Sequence, residues 1–202
     1  MKTPALVALI LMAAVIVSVA HPVGAASSTT SRSTSTRTAV AQAPADPVVV
    51  ALSKLNGKDF DVALMRALIP VHEEAIEIAM AATLNANHSE LLQWNQVMID
   101  RKSGQVRSML AWLQDANASP AGRSAGVVTA SVKKMRSLTG EALEREYLPM
   151  ITKHLERSAA LAALAAQKAG RAEVKAMAAT LVKVERQETE MLRGWQKKWY
   201  AK

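Results

Sequence analysis

DFDVALMRALIPVHEEAIEIAM, residues 59–80, is the stretch whose reading decides the fold. Within it Met65, Leu68, Ile69, His72, Ala75, Ile76 and Ala79 recur at steps of three and four. That spacing lays them along one face of an α-helix, the face that enters a core. His72 is the one titratable residue on this apolar face, and a buried ring must find a partner or cost stability. What His72 meets then becomes the central question about the chain.

The stretch recurs. GEALEREYLPMITKH at 140–154 repeats GKDFDVALMRALIPVH at 57–72, with one residue deleted between Leu143 and Met150. Downstream, HSEL at 88–91 matches RAEV at 171–174, and the pair Met109 and Trp112 matches Leu192 and Trp195. A shift of 82 to 83 residues far exceeds a solenoid repeat, so it reads as an internal duplication of one helical hairpin.

Working outward, Asp59 is the candidate N-cap of a first helix over 59–84. Asn85-Ala86-Asn87 forms a short turn, and Asn87 or Ser89 caps a second helix over 89–115. The inner stripe of that helix is Leu91, Trp94, Met98, Lys102, Gln105, Met109 and Trp112, apolar at both ends and polar in the middle. Pro120, Gly122 and Gly126 mark a loop, and 127–137 suggests a short connecting helix. A helix over 141–168, a turn near Gly170 and a last helix over 171–199 follow. The last helix turns Val174, Met177, Leu181, Val184, Glu188, Met191 or Leu192, and Trp195 inward. Short turns force antiparallel neighbours, and two amphipathic hairpins pair into an all-α, four-helix bundle. Pro70 and Pro149 lie inside helices just before the histidine of each copy, where each removes a backbone donor.

Hairpin register predicts more. A turn centred near Ala86 sets His72 level with residues 100–102, and one at 169–170 sets His154 level with residue 185. His72, Lys102, His154 and Glu185 should therefore form a polar layer, flanked by Gln105 and Glu188 and sandwiched between apolar layers.

Residues 1–25 have the pattern of an export signal: Lys2, the apolar run Ala5–Ala20, then His21-Pro22 and the small residues Val23-Gly24-Ala25. The run is shorter than the roughly 20 residues a membrane-spanning helix needs, so a membrane role would require an uncleaved signal. Residues 26–49 are rich in Ser, Thr, Ala and Pro and suit a disordered linker. The domain is then 50–202, with copy one at 55–115, a connector at 116–137 and copy two at 138–200. The implied location is periplasmic or extracellular.

The chain has no cysteine, which excludes disulfides and thiolate metal sites. Its net charge of +8 is spread along helices, apart from Arg193 to Lys202, where lysines mix with Trp195, Trp199 and Tyr200. Cations at a helix C-terminus complement its dipole, and no nucleic-acid recognition motif accompanies them. No histidine has Glu three residues before it, as a di-iron bundle requires. His72-Glu73 lacks the second histidine of a zinc protease, and no phosphate loop or nucleophile elbow is present. The sequence points to no enzyme.

Met150 and His154 stand four apart, one above the other on a helix, and thioether with imidazole suits Cu(I). Two ligands do not close a site, so His72 would have to converge on them. The competing account is a core methionine beside a hydrogen-bonded histidine. Met65, Met80, Met98, Met109, Met177 and Met191 are at core-like positions and are assigned to packing. His88 opens a helix and is expected at the surface or as a cap.

Residues 59–80 and 138–195 resemble the family known as domain of unknown function 305, a ferritin-like family that includes exported copper-binding proteins. Its pattern runs Phe-Asp, then Met-Ile-x-His-His, then Gln-x-x-Glu-Ile-x-x-Met-x-x-Trp on the following helix. The resemblance covers 55–200, and it implies a ferritin-like bundle with a metal site, for which this chain offers Met150 and His154, completed by His72 or Glu188. This sequence departs from the pattern in both copies. Copy one has LIPVH at 68–72, with leucine for methionine and a single histidine; copy two has MITKH at 150–154, with lysine for the first histidine. Gln-x-x-Glu becomes Lys102 with Gln105 in copy one and Glu185 with Glu188 in copy two. The expected function is an exported, non-enzymatic metal-binding protein, with copper as the ion and a degenerate His/Met site. The alternative is a metal-free structural or partner-binding bundle.

Overall fold

The computed structural model describes residues 46–121 and 128–201. The expected export signal and nearly all of the expected linker lie outside them. Seven helices occur among the described residues: α1 Pro47–Leu52, α2 Gly57–Thr83, α3 Ser89–Asp115, α4 Ala130–Arg136, α5 Gly140–Ala163, α6 Ala165–Lys168 and α7 Ala172–Tyr200. α2 packs on α3 and α5 packs on α7, and the two hairpins meet chiefly through α2 and α5. α2 and α5 run on through Pro70 and Pro149 as single helices.

Several details differ from the sequence reading. α1 begins at Pro47, inside the segment expected to be linker. The Asp46 carboxylate accepts from the Val48 N–H at 2.8 Å, Pro47 occupies a position that needs no donor, and Val48, Val49 and Leu52 pack on the core. Asp59 is not the cap of α2; it sits in the first turn, after Asn56. The third long helix stops at Ala163, and the chain passes through α6 to Ala169, which bridges to Gly57. Met80, expected in the core, is 56% exposed. It lies between the buried Ala79 and Ala81, on the outward side of α2.

The hairpins lock together by crossed caps. Each enters through a glycine with positive φ, Gly57 at +58° and Gly140 at +56°, a conformation that favours a residue without Cβ. Four residues on stands a carboxylate. Asp61 accepts from the N–H groups of Gly170 (3.1 Å) and Arg171 (2.8 Å), at the start of α7. Glu144 accepts from those of Asn87 (2.7 Å) and His88 (2.8 Å), at the start of α3. α3 and α7 have no side-chain cap of their own, so the expected caps Asn87 and Ser89 are replaced by a residue from the other hairpin. A carboxylate there satisfies orphan donors and meets the positive end of the helix dipole.

The core comes in two pieces. One cluster holds Phe60, Leu64, Leu68, Met109, Leu113, Leu161, Val174 and Leu181; the other holds Ala75, Ile78, Leu91, Met98, Tyr147, Ile151, Leu155 and Leu192. Each long helix passes from one cluster to the other, and the residues at the crossing are polar: His72, Lys102, Ser158 and Glu185, all buried.

Candidate functional site

The crossing level is the candidate site. His72, Lys102 and Ser158 have no measurable exposure and Glu185 has 1%. The Lys102 ammonium donates to Glu185 Oε1 in an ion pair whose side chains are 1% and 2% exposed. Beside it Glu188 accepts from Trp94 Nε1 at 3.0 Å and from Arg101 Nη2 at 2.6 Å. All three links join α3 to α7, so long polar side chains hold that seam. The helical period makes this possible: Trp94, Arg101 and Lys102 fall on one side of α3, and Glu185 and Glu188 lie three apart on α7.

The level is also where hydrogen bonding is incomplete. Among the described residues, the buried side-chain atoms with no hydrogen bond of good geometry are both ring nitrogens of His72, Nδ1 of His154, Oε1 of Gln105, Oγ of Ser158 and Oε2 of Glu185; Gln105 makes a looser contact with His72, and Ser158 with Glu185. Their concentration at one level is unusual, because buried polar groups are normally satisfied. The level has hydrogen-bonding and ligating capacity that the chain does not use.

Burial and charge set the protonation states. Burial, reinforced by the Lys102 and Arg101 charges, pushes the His72 imidazole well below its usual range, and the nearby Gln105 offsets only part of this. Burial lowers His154 too; Glu74 opposes the shift and Lys102 adds to it. Both rings are therefore neutral near pH 7, with a lone pair on one nitrogen. Burial also lowers Lys102 and raises Glu185, each opposed by the attraction of the other. Lys102 thus opposes protonation of both imidazoles.

Of the residues expected to hold a metal, His72 and His154 lie at the crossing level with ring nitrogens that have no hydrogen bond of good geometry. Met150 stands one turn before His154, half-buried against the second apolar cluster. Glu188 is at the same level, but both its oxygens already accept hydrogen bonds. Among the described residues no group of three His, Asp or Glu is gathered as a metal cluster would be. Two neutral imidazoles and a thioether fit a soft monovalent ion at low coordination number. They do not fit an ion that requires a carboxylate-rich cage.

A second polar cluster closes one end of the bundle. His88 Nδ1 lies 2.6 Å from Glu144 Oε2, and its ring stacks on Trp199 with centroids 3.8 Å apart. The Tyr200 hydroxyl donates to the same carboxylate, Arg145 lies over the Tyr200 ring, and Trp195 stacks on Trp199. Burial would raise Glu144, but donation from Tyr200, His88 and Asn87 outweighs it and holds the carboxyl below its usual range. The C-terminal aromatics are thus spent on a helix start. The sequence reading gave Asp61 and Glu144 no role, although both occupy the acidic position after a large apolar residue in the repeated unit. That recurrence was the available signal.

The family described as Domain of unknown function (DUF305) matches twice in tandem, over residues 12–113 and 114–196. Comparison with curated protein sequences gives no match. Among solved structures, CopM in its Cu(I)-bound form aligns with a TM-score of 0.62 at 18% identity, covering 70% of this chain and 98% of that one. CopM in a Ag-bound form gives 0.61 at 18%, covering 70% and 97%. A DUF305 protein from Streptomyces coelicolor, described as secreted, gives 0.61 at 18%, covering 68% and 91%. At this identity the likeness establishes the fold.

Proposed function

This chain belongs to the DUF305 family, and we propose that it is an exported, non-enzymatic metal-binding bundle whose cargo is Cu(I). The observation that carries this reading is the pair of neutral imidazoles, His72 buried and His154 half-buried, with buried ring nitrogens that have no hydrogen bond of good geometry. Met150 supplies the thioether that makes the set soft, and Glu188 holds Arg101 and Trp94 in place rather than offering a free oxygen. The copper- and silver-bound forms of CopM support the choice of ion. Export is supported by the pattern of residues 1–25 and by the relative described as secreted. No helix among the described residues is long and apolar enough to cross a membrane. In this proposal residues 1–25 are a signal, the segment up to residue 45 is a tether, and 46–202 is the bundle of two duplicated hairpins.

The test is titration of the purified protein with Cu(I) under a competing chelator, alongside the double variant Met150→Leu/His154→Ala. Wild-type protein should compete for Cu(I), and the variant should lose at least tenfold in affinity. Unchanged binding in the variant rules these ligands out. A second reading is favoured by the Lys102–Glu185 pair, which completes the level without an ion. The bundle would then be a structural or partner-binding module, and wild-type protein would bind neither Cu(I) nor Ag(I).

A further inference from the structure

We propose that the inner face of each hairpin is a binding surface for a hairpin of the opposite kind, in its own chain or in a second copy. The buried Lys102–Glu185 contact is what excludes a hairpin of the same kind. The two kinds are α2 with α3 and α5 with α7, and their pairing does not depend on a metal. One shift of 83 residues carries Asp61 onto Glu144 and the donors Asn87 and His88 onto Gly170 and Arg171. The crossed caps are therefore one contact made twice, once in each direction. The same shift carries Phe60 onto Leu143 and Met98 onto Leu181, all buried. Such reciprocity belongs to an isologous interface, in which a surface meets its own equivalent.

Lys102 and Glu185 are equivalent by that shift, and they touch. Equivalent residues in contact lie at the two-fold axis, so these two positions meet whichever hairpins pair. The caps do not discriminate, because each carboxylate accepts from backbone N–H groups that both hairpins present. The charges do. Like with like would set two ammonium groups or two carboxylates together where the side chains are 1% and 2% exposed. Neither charge would then be compensated, whereas opposite hairpins satisfy both. The Arg101–Glu188 contact acts in the same sense, since the shift carries Arg101 onto Val184 and Gln105 onto Glu188. Residues 116–139 join the hairpins. With α4 formed they can reach about 60 Å, beyond the roughly 40 Å length of α2, so a hairpin can meet one in a second copy.

The test uses two full-length variants, Glu185→Lys and Lys102→Glu, each of which sets like charges at the axis. Each alone should unfold at lower urea than wild type, a result that any buried pair would give. Refolded together from urea, they should form a heterodimer of one chain of each, because each hairpin finds an opposite charge only in the other chain. Native mass spectrometry should show that heterodimer in excess over either homodimer by about a hundredfold or more. Lys102→Glu/Glu185→Lys, which reverses the pair within one chain, should restore the oligomeric state and urea midpoint of wild type. A mixture without the heterodimer overturns the proposal, and so does a homodimer of either variant in comparable amount. Failure of the reversed chain to fold overturns it as well, since positions related by the axis are interchangeable.

Discussion

Deleting Lys102 should be among the most damaging single changes available in this protein. The side chains of the pair are 1% and 2% exposed, and besides Lys102 the neutral Ser158 hydroxyl is the neighbour that favours the Glu185 charge. In Lys102→Leu the carboxylate stays in the interior with no compensating charge. Breaking a buried pair in this way costs about 3–5 kcal/mol. For a domain of this size that corresponds to a fall in Tm of roughly 6–20 °C. Lys102→Leu/Glu185→Leu removes both charges, and such replacements are often neutral or stabilising by about 1–4 kcal/mol, less the cavity left by shorter side chains. The double variant should thus be more stable than either single one. The sign with pH is also fixed. Burial already raises Glu185, and losing Lys102 raises it further. A carboxyl with a folded pKa above its unfolded value costs no stability when protonated in both states, and costs increasingly as pH rises through that range. The deficit of Lys102→Leu should therefore shrink on acidification from pH 7. Urea denaturation of the wild type, both single variants and the double variant, at pH 7 and pH 5, supplies the whole cycle. A single variant within about 1 kcal/mol of wild type at pH 7 would mean that the pair is hydrated, and the argument from burial would be wrong.

Three other outcomes follow from the geometry. Glu144→Ala removes the acceptor of two backbone donors, an imidazole and a phenol, and should cost about 3–4 kcal/mol; Asp61→Ala, which loses backbone donors alone, should cost about 1–2 kcal/mol. Equal losses in urea denaturation would refute the crossed-cap account. Gly57→Ala and Gly140→Ala both force a left-handed alanine, at about 1–2 kcal/mol, but a Cβ at Gly140 meets Asn87 at 3.0 Å whereas one at Gly57 meets nothing. Gly140→Ala should melt lower, and the reverse order would refute the packing at that turn. Finally, His72 and His154 have folded pKa values below their unfolded ones, so the unfolded chain takes up protons first. Stability should be level above pH 6.5 and fall below it, by at most about 1.4 kcal/mol per pH unit for each histidine. His72→Leu/His154→Leu should flatten that fall, and an unchanged pH profile in denaturation midpoints would show that neither ring is held neutral.

Much of the fold was legible because its causes are local. The apolar period of 59–80 and its echo at 140–154 report helices directly, since side chains three and four apart share a face whatever the helix later meets. Even the polar level was within reach, because hairpin register is arithmetic once the turns near residues 86 and 170 are known. Helix ends were less accessible. The cap of α3 comes from Glu144, and the cap of α7 from Asp61. Each carboxylate chooses its partner through the docking of two hairpins, and nothing near either residue in the chain encodes that choice.

Beyond the Lys102–Glu185 pairing, the tertiary structure alone decided what the polar groups do at the crossing level. Sequence placed His72, Lys102, His154 and Glu185 together and named Glu188 beside them. It also pointed to Glu185 as the partner a buried Lys102 needs, and the two do pair. It could not say that both oxygens of Glu188 are taken by Trp94 and Arg101, or that the pair leaves both imidazoles without a hydrogen bond of good geometry. It likewise put Met80 inside, where the helix turns it out, and read Pro47–Val49 as linker, where Asp46 starts a helix against the core. The physical reason is common to all of these. Period and propensity act between residues a turn apart along one helix. The partner of a buried charge is set by distances of a few ångströms between different helices, and those distances exist only once the two hairpins have packed.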